Sequence, residues 1–226
     1  MKIIGLVIAD DCEFAPVKDY ALSNGGVSYI FNSDETVEFS VGDKTVIANL
    51  CGIGKVNATN SAAALIFGKN VDAIINFGLS GAVSGLRKGD LVVGTKCVEH
   101  DFDLTALGYK PGVKPQAVNE YAPDKTLYDA VVKATDNMRD GTFVCGDMFV
   151  ASEEKKRFVI DNFGANACDM ESAAIASVCH KAEIPFVSFR SISDDADDVA
   201  PDTYNAQNEK KQTDLIEVAV KAIELL

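Results

Sequence analysis

Three groups of carboxylates stand where an alternating strand-and-helix chain would carry reactive side chains. Glu13 follows an apolar run, Asp169-Met170-Glu171 opens a stretch of helix formers, and Ser193-Asp194 closes a second apolar run. Helix starts and strand ends favour acids for capping and solvation alone, so none of these marks a site by itself. Their shared placement does more. Carboxyls that converge at one sheet edge are driven to different pKa values, so that one serves as base and another as acid. Cleavage of a glycosyl bond calls for such a pair. Arg190, four residues before Asp194, would keep one of these carboxylates ionised, or else form a structural ion pair. Gly78-Leu79-Ser80-Gly81 reads as a turn whose backbone N–H groups could face an oxygen-rich ligand. Gly52-Ile53-Gly54-Lys55 matches neither a Walker A loop nor a GxGxxG fingerprint, and a tight turn before a helix accounts for it.

The elements that must position these residues follow from the pattern of apolar runs. Residues 2–9 predict a buried strand, and a helix over about 13–24 ends at Gly25-Gly26. Strands near 36–41 and 44–50 flank a Gly42-Asp43 turn. A helix runs from the Gly52–Lys55 turn to about Phe67, and Asp72 to Asn76 is a strand that leads to the turn at Gly78–Gly81. Leu91 to Glu99 is a strand, and residues 100–122 form a long excursion of the kind that often carries function. A helix over about 124–138, a strand at 142–145 and a helix over about 153–162 follow. Ala167 to Lys181 carries helix formers, Ile184 to Ile192 is a strand, and the last helix spans about Gln207 to Leu226. This alternation predicts an α/β fold in one domain over residues 1–226, its sheet covered on both faces. Ligands in such folds sit beyond the carboxyl ends of the strands. Glu13, Gly78 to Gly81, Phe149, Asp169 to Glu171 and Ser193-Asp194 all fall there.

Composition removes several partners. Among 226 residues, 34 acidic side chains outnumber 21 basic ones for a net charge of -13, which disfavours nucleic acid and anionic membrane surfaces. The six cysteines include no CxxC pair and there are two histidines, so no metal site is expected and the thiols read as reduced core residues. Cys12 has no neighbouring His or Lys to activate it. The apolar run Met1 to Ile8 is short of the roughly 20 residues of a membrane span and lacks a small-residue cleavage site after it. The expected location is cytoplasmic.

Five segments, in order, resemble the 5′-methylthioadenosine/S-adenosylhomocysteine nucleosidases of the purine nucleoside phosphorylase superfamily. They are Gly52-Ile53-Gly54-Lys55-Val56-Asn57-Ala58, the run His100 to Tyr109, Gly146-Asp147-Met148-Phe149-Val150, Asp169 to Ala174, and Arg190-Ser191-Ile192-Ser193-Asp194. The likeness spans about residues 2 to 204. It implies a single-domain three-layer α/β/α fold with a central mixed, twisted sheet, and hydrolysis of an adenine-type N-ribosyl bond without metal or organic cofactor. Position by position, it makes Glu13 the base for the attacking water and Asp194 the acid that protonates purine N7. Glu171 would bind the ribose hydroxyls, Met170 would pack under the sugar, Phe149 would stack on the base, and the Val150 backbone would meet the purine edge. Arg190 and Ser193 would support the water and the acid, with Asp169, Ser80 and Gly81 also in the binding site. Ile53 and Tyr204 would wall the 5′ substituent. Leu107 aligns with a residue that reaches the neighbouring pocket in the family's homodimer.

The chain also departs from that pattern. Asp10 stands where a methionine commonly lines the ribose pocket, Leu79 where a serine stands, Asp169 in place of a glutamate, and Leu107 in place of an aromatic. These changes fall on the ribose and 5′ side, so the 5′ group is less determined than the purine, and a futalosine-type nucleoside is an alternative. Two other readings compete: a phosphorylase, and a nucleoside-binding module without turnover. No arginine precedes Arg87, which leaves phosphate without its usual cationic ligands and favours water. A binding module would need no base opposite an acid.

Overall fold

The apolar run at the N-terminus forms β1 (Ile3–Ile8) in the interior of a ten-stranded mixed sheet, hydrogen-bonded on both sides to parallel neighbours. These are β4 (Lys44–Leu50) and β5 (Ala73–Ala82). The computed structural model describes residues 1–197, 200 and 213–226. Alternate side chains of β1 enter two different cores. Ile4, Leu6 and Ile8 pack on one face with α1 (Asp11–Ser23), α3 (Lys125–Lys133) and α6 (Thr213–Glu224), while Val7 packs on the other with α2 (Lys55–Lys69) and α5 (Ser172–Ala182). That two-residue alternation is what a strand must show when both faces are covered by apolar surface.

Beyond β4 the sheet continues antiparallel through β3 (Asp34–Val41) to the edge strand β2 (Val27–Phe31). On the other side of β5 it closes on itself. Strand β10 (Phe186–Asp194) pairs in parallel with β5 and antiparallel with β6 (Leu91–Glu99). Strand β6 pairs with β8 (Met138–Cys145), β8 with β9 (Ala167–Asp169), and β9 returns to β5. Five strands thus make a ring with β1 to β4 as its extension. The two-residue β7 (Glu120–Tyr121) adds to β6, and α4 (Glu153–Phe163) covers β8. Across the β5–β10 seam, the rings of Phe77 and Phe189 stack with centroids 5.2 Å apart.

The α/β class and the mixed sheet agree with the sequence reading, which did not anticipate the ring. Three local expectations change. Gly78 to Gly81 is not a turn: β5 runs straight through it to Ala82. The stretch Ala167 to Lys181 divides into β9 and α5, because Ala167 and Cys168 pair with both β5 and β8 before the helix begins. The helix expected over 124–138 stops at Lys133, and Met138 already pairs with Leu91 in β8. Tyr204 and the first turns expected of the last helix lie outside the described residues.

Candidate active site at the carboxyl end of β5 and β10

The chain leaves β1 and enters α1 through a reciprocal cap. The Asp10 carboxylate accepts from the Cys12 N–H at 2.9 Å, and the Asp10 N–H donates to Glu13 Oε2 at 3.4 Å. The other Glu13 oxygen, Oε1, accepts from the Leu79 N–H at 2.6 Å. Glu13 is buried, and burial pushes its pKa up to about 7, against the opposing pull of the Arg190 guanidinium and the Leu79 N–H. A carboxyl poised there exchanges protons readily near neutral pH, as a general base must.

Asp194 is the last residue of β10. Ser193 Oγ donates to its Oδ2 at 2.6 Å and the Ala196 N–H to its Oδ1 at 2.9 Å. Burial raises the Asp194 pKa in spite of these donors. Both carboxyls reach β5 where it carries glycine. A Cβ on Gly78 would lie 2.5 Å from Glu13 Oε1, and one on Gly81 would lie 2.9 Å from Asp194 Oδ1. The glycines therefore serve close side-chain approach to a continuous strand rather than a reversal of the chain. Ser80, between them, donates its hydroxyl to the Cys168 carbonyl at 2.6 Å and so ties β5 to β9.

Beneath the cleft lies one buried cation. Arg190 Nε donates to Asp169 Oδ2 at 3.3 Å, Nη2 to Asn76 Oδ1 at 2.8 Å, and Nη2 lies 3.7 Å from Glu171 Oε2. Asp169 Oδ1 accepts from the Glu171 and Ser172 N–H groups at 3.0 and 2.9 Å, which caps α5. Its oxygens are thus engaged within the protein. Glu171 Oε1 accepts from the Gly54 N–H at 3.0 Å, and burial raises its pKa. Asn76 is a residue that sequence reasoning passed over. It holds the Val7 carbonyl at 2.9 Å through Nδ2, while Oδ1 also accepts from Ser188 Oγ at 2.9 Å. Its signal was present: it is the one polar side chain in the buried run Ala73 to Phe77.

The cleft above brings together Glu13, Ile53, Ser80, Gly81, Phe149, Val150, Asp169, Met170, Glu171, Ser193 and Asp194. Arg190 sits below it, and Leu107, on a short 3-10 turn and 71% exposed, does not line it. Ala9, Asp10, Leu79, Met148 and Cys168 complete the wall. Among the described residues, the lining contains five carboxylates and no Lys, Arg or His. No group of three or more His, Cys, Asp or Glu side chains among the described residues is arranged to hold a metal ion. Chemically, the cleft offers three buried carboxyls, Glu13, Glu171 and Asp194, whose pKa values burial raises, an aromatic and thioether wall, and no cationic seat for an anion among the described lining residues.

A family model described as the phosphorylase superfamily matches residues 3–225. A 5′-methylthioadenosine/S-adenosylhomocysteine nucleosidase from Shewanella loihica is 38% identical over 175 residues, covering 73% of this chain and 76% of the relative. The crystal structure of the nucleosidase of the same name from Neisseria meningitidis, in complex with methylthio-immucillin-A, superposes with a TM-score of 0.93 at 31% identity over 100% of both chains. A futalosine hydrolase mutant from Helicobacter pylori superposes with a TM-score of 0.94 at 26% identity, again over 100% of both chains.

Proposed function

The chain belongs to the phosphorylase superfamily, and we propose that within it this protein is a nucleosidase that uses water. It hydrolyses the N-glycosidic bond of 5′-substituted adenine nucleosides, methylthioadenosine and S-adenosylhomocysteine, releasing adenine and the ribose product. One observation carries the reading: Glu13 and Asp194, both buried and both shifted toward the protonated form, meet β5 in one cleft with no cation among its described lining residues.

Glu13 takes a proton from water as the oxygen bonds to the anomeric carbon. The C1′–N9 electron pair moves into the purine, and Asp194 delivers a proton to N7, so adenine departs neutral. Glu171 holds the ribose hydroxyls, and its negative charge favours the cationic sugar that develops. Phe149 stacks on the base, the Val150 backbone meets the purine edge, and Met170 lies under the sugar. Ile53 walls the 5′ group. Ser193 sets the Asp194 carboxyl through its 2.6 Å hydrogen bond. Asp169 acts through Arg190 and the start of α5, and Ser80 and Gly81 shape the floor between base and acid.

Phosphorolysis is the competing chemistry. A phosphate dianion in this cleft would face carboxylates without a cation among the described lining residues, which disfavours it. We also read residues 1–226 as one domain with helices layered on both faces of the sheet, working as a homodimer. Two exposed apolar side chains on α2, Val56 at 78% and Phe67 at 72% exposure, support that assembly, and Leu107 would enter the partner's cleft. No helix among the described residues is long and apolar enough to cross a membrane. None of the six cysteines, all among the described residues, is in a disulfide, which suits a reducing compartment, and we place the enzyme in the cytoplasm.

The deciding experiment is release of the free purine base from methylthioadenosine, S-adenosylhomocysteine, adenosine, inosine and futalosine, with and without inorganic phosphate. Phosphate-independent release from the adenine nucleosides is expected. Glu13→Gln and Asp194→Asn should each lower turnover at least 100-fold, of the order that general acid–base catalysis supplies. Phosphate-dependent release of ribose 1-phosphate, or near-normal rates in either variant, would overturn the assignment.

A further inference from the structure

The N-terminus of α2 has no side-chain cap of its own. Its cap residue is Gly54, at φ 101, and the first helical N–H groups would be left for water. They are instead taken by carboxylates from two distant parts of the chain. Glu171 accepts from the Gly54 N–H, and Asp147 Oδ1 accepts from the Lys55 N–H at 2.8 Å across 92 residues of sequence. Asp147 lies two residues before Phe149, in the segment that carries the aromatic wall.

A second carboxylate closes the loop of bonds. The Asp147 N–H donates to Asp101 Oδ2 at 2.9 Å, and Asp101 Oδ1 pairs with Lys55 Nζ at 2.6 Å. Lys55 thus meets Asp147 through its backbone and Asp101 through its side chain, while Asp101 meets Asp147 in turn. Gly146 makes this closeness feasible, since a Cβ there would lie 2.5 Å from His100 Nε2 and 3.0 Å from Asp101 Cγ. Gly54 is matched to it, with its own Cβ position 3.1 Å from Asp147 Oδ1.

We propose that Asp147 is a positioning residue: by capping α2 from across the cleft, it holds the Met148–Val150 wall at a set distance from the Ile53–Gly54 wall, and so fixes the width of the slot that receives the nucleoside. It touches no reacting atom. The two walls belong to different segments, one leaving β8 and one entering α2, and Asp101 bridges them a second time through Lys55 Nζ and the Asp147 N–H. Because Glu171 hangs on the neighbouring N–H, the same helix end sets the sugar-binding carboxylate and the base-stacking wall relative to each other.

The kinetic part rests on the nucleosidase reading above; the structural part does not. Asp147 is exposed, so its variants should fold. Asp147→Ala removes the cap, whereas Asp147→Asn keeps an oxygen acceptor for the Lys55 N–H. The wall binds the ground state and the transition state alike, so its loosening appears in KM rather than kcat. For Asp147→Ala the expected result is a KM for methylthioadenosine roughly five- to tenfold higher with kcat within about twofold, and Asp147→Asn close to the parent in both. Hydrogen exchange in the peptide covering residues 52–58 should quicken severalfold in the alanine variant and stay near the parent in the asparagine variant. Unchanged exchange in Asp147→Ala would overturn the proposal even if the parent released no adenine, an outcome that would remove the nucleosidase reading alone. Equal loss in both variants, or a fall in kcat with KM unchanged, would also overturn it.

Discussion

The Leu79 N–H donates to the Glu13 carboxylate at 2.6 Å, and the preceding residue, Gly78, presents a bare Cα to that same carboxylate. Base and strand are in contact at a point where any other residue would intrude. A methyl group at position 78 would meet Oε1, Oε2 and Cδ of Glu13 at 2.5, 2.7 and 2.8 Å.

Gly78→Ala is therefore a probe of the base without a change in its chemistry. The carboxylate must retreat and lose the Leu79 bond, and a displacement near 1 Å is enough for a loss of about 100-fold in kcat. Steady-state adenine release checks this; a loss below about threefold would mean the carboxylate has slack.

Glu13 also ties stability to pH. An ordinary glutamate near 4.5 in the unfolded chain rises to about 7 in the folded one. The folded state then holds the extra proton between those values, so its contribution is present below about 4.5 and is lost as pH rises through 7. Glu13→Gln removes that dependence. Relative to the parent it should be more stable at pH 8 than at pH 5 by on the order of 2–3 kcal/mol. Urea denaturation of both proteins at the two pH values measures it, and parallel curves would contradict it. In turnover, the acid limb of kcat/KM should fall near the same value as Glu13.

Arg190 compensates two buried carboxylates and an amide oxygen at once. Arg190→Met would leave Asp169 and Glu171 buried without a cation, costing about 3–5 kcal/mol of folding free energy. Arg190→Lys should recover little, since one ammonium cannot reproduce the Nε and Nη2 fork. A cost below about 1 kcal/mol by urea denaturation would show that the carboxyls simply take up protons.

The two exposed apolar side chains on α2 predict assembly. Phe67→Glu should convert a dimer to a monomer in analytical ultracentrifugation, with loss of activity if Leu107 of the partner completes the cleft. A monomeric parent protein would remove the homodimer and the role given to Leu107.

The convergence of Glu13, Asp169, Glu171 and Asp194 on one cleft was legible because their types and strand-end positions persist whatever the tertiary detail. Strand β6 was legible too, since Leu91 to Glu99 is rich in β-branched residues, with Val92, Val93, Thr95 and Val98. Strand β2 was not: its residues are largely exposed at the sheet edge, so no buried alternation marks them. Strand β9 hid among helix formers because three residues paired on both sides need no propensity of their own. The Gly78–Gly81 error has a physical source. Glycine permits both reversal and close approach, and only the partner across the gap tells them apart. Asn76 showed itself only as a polar break in an apolar run, and Asp147 acts through bonds 46 and 92 residues away, where local patterning is silent.

Strand β5 has the role of a ruler. One mark is the Leu79 N–H that grips the Glu13 carboxylate, and another is Gly81, against which the Asp194 carboxylate rests. Two residues of extended chain separate those marks, about 7 Å at the rise of a strand. The gap between the proposed proton acceptor and proton donor is thereby ruled in backbone units, held by pairing with β10 along Leu79 to Gly81 and with β9 at Gly81. Substitutions at the rim, at positions such as Asp10 or Ile53, can retune which 5′ group enters while that calibration stays as it is.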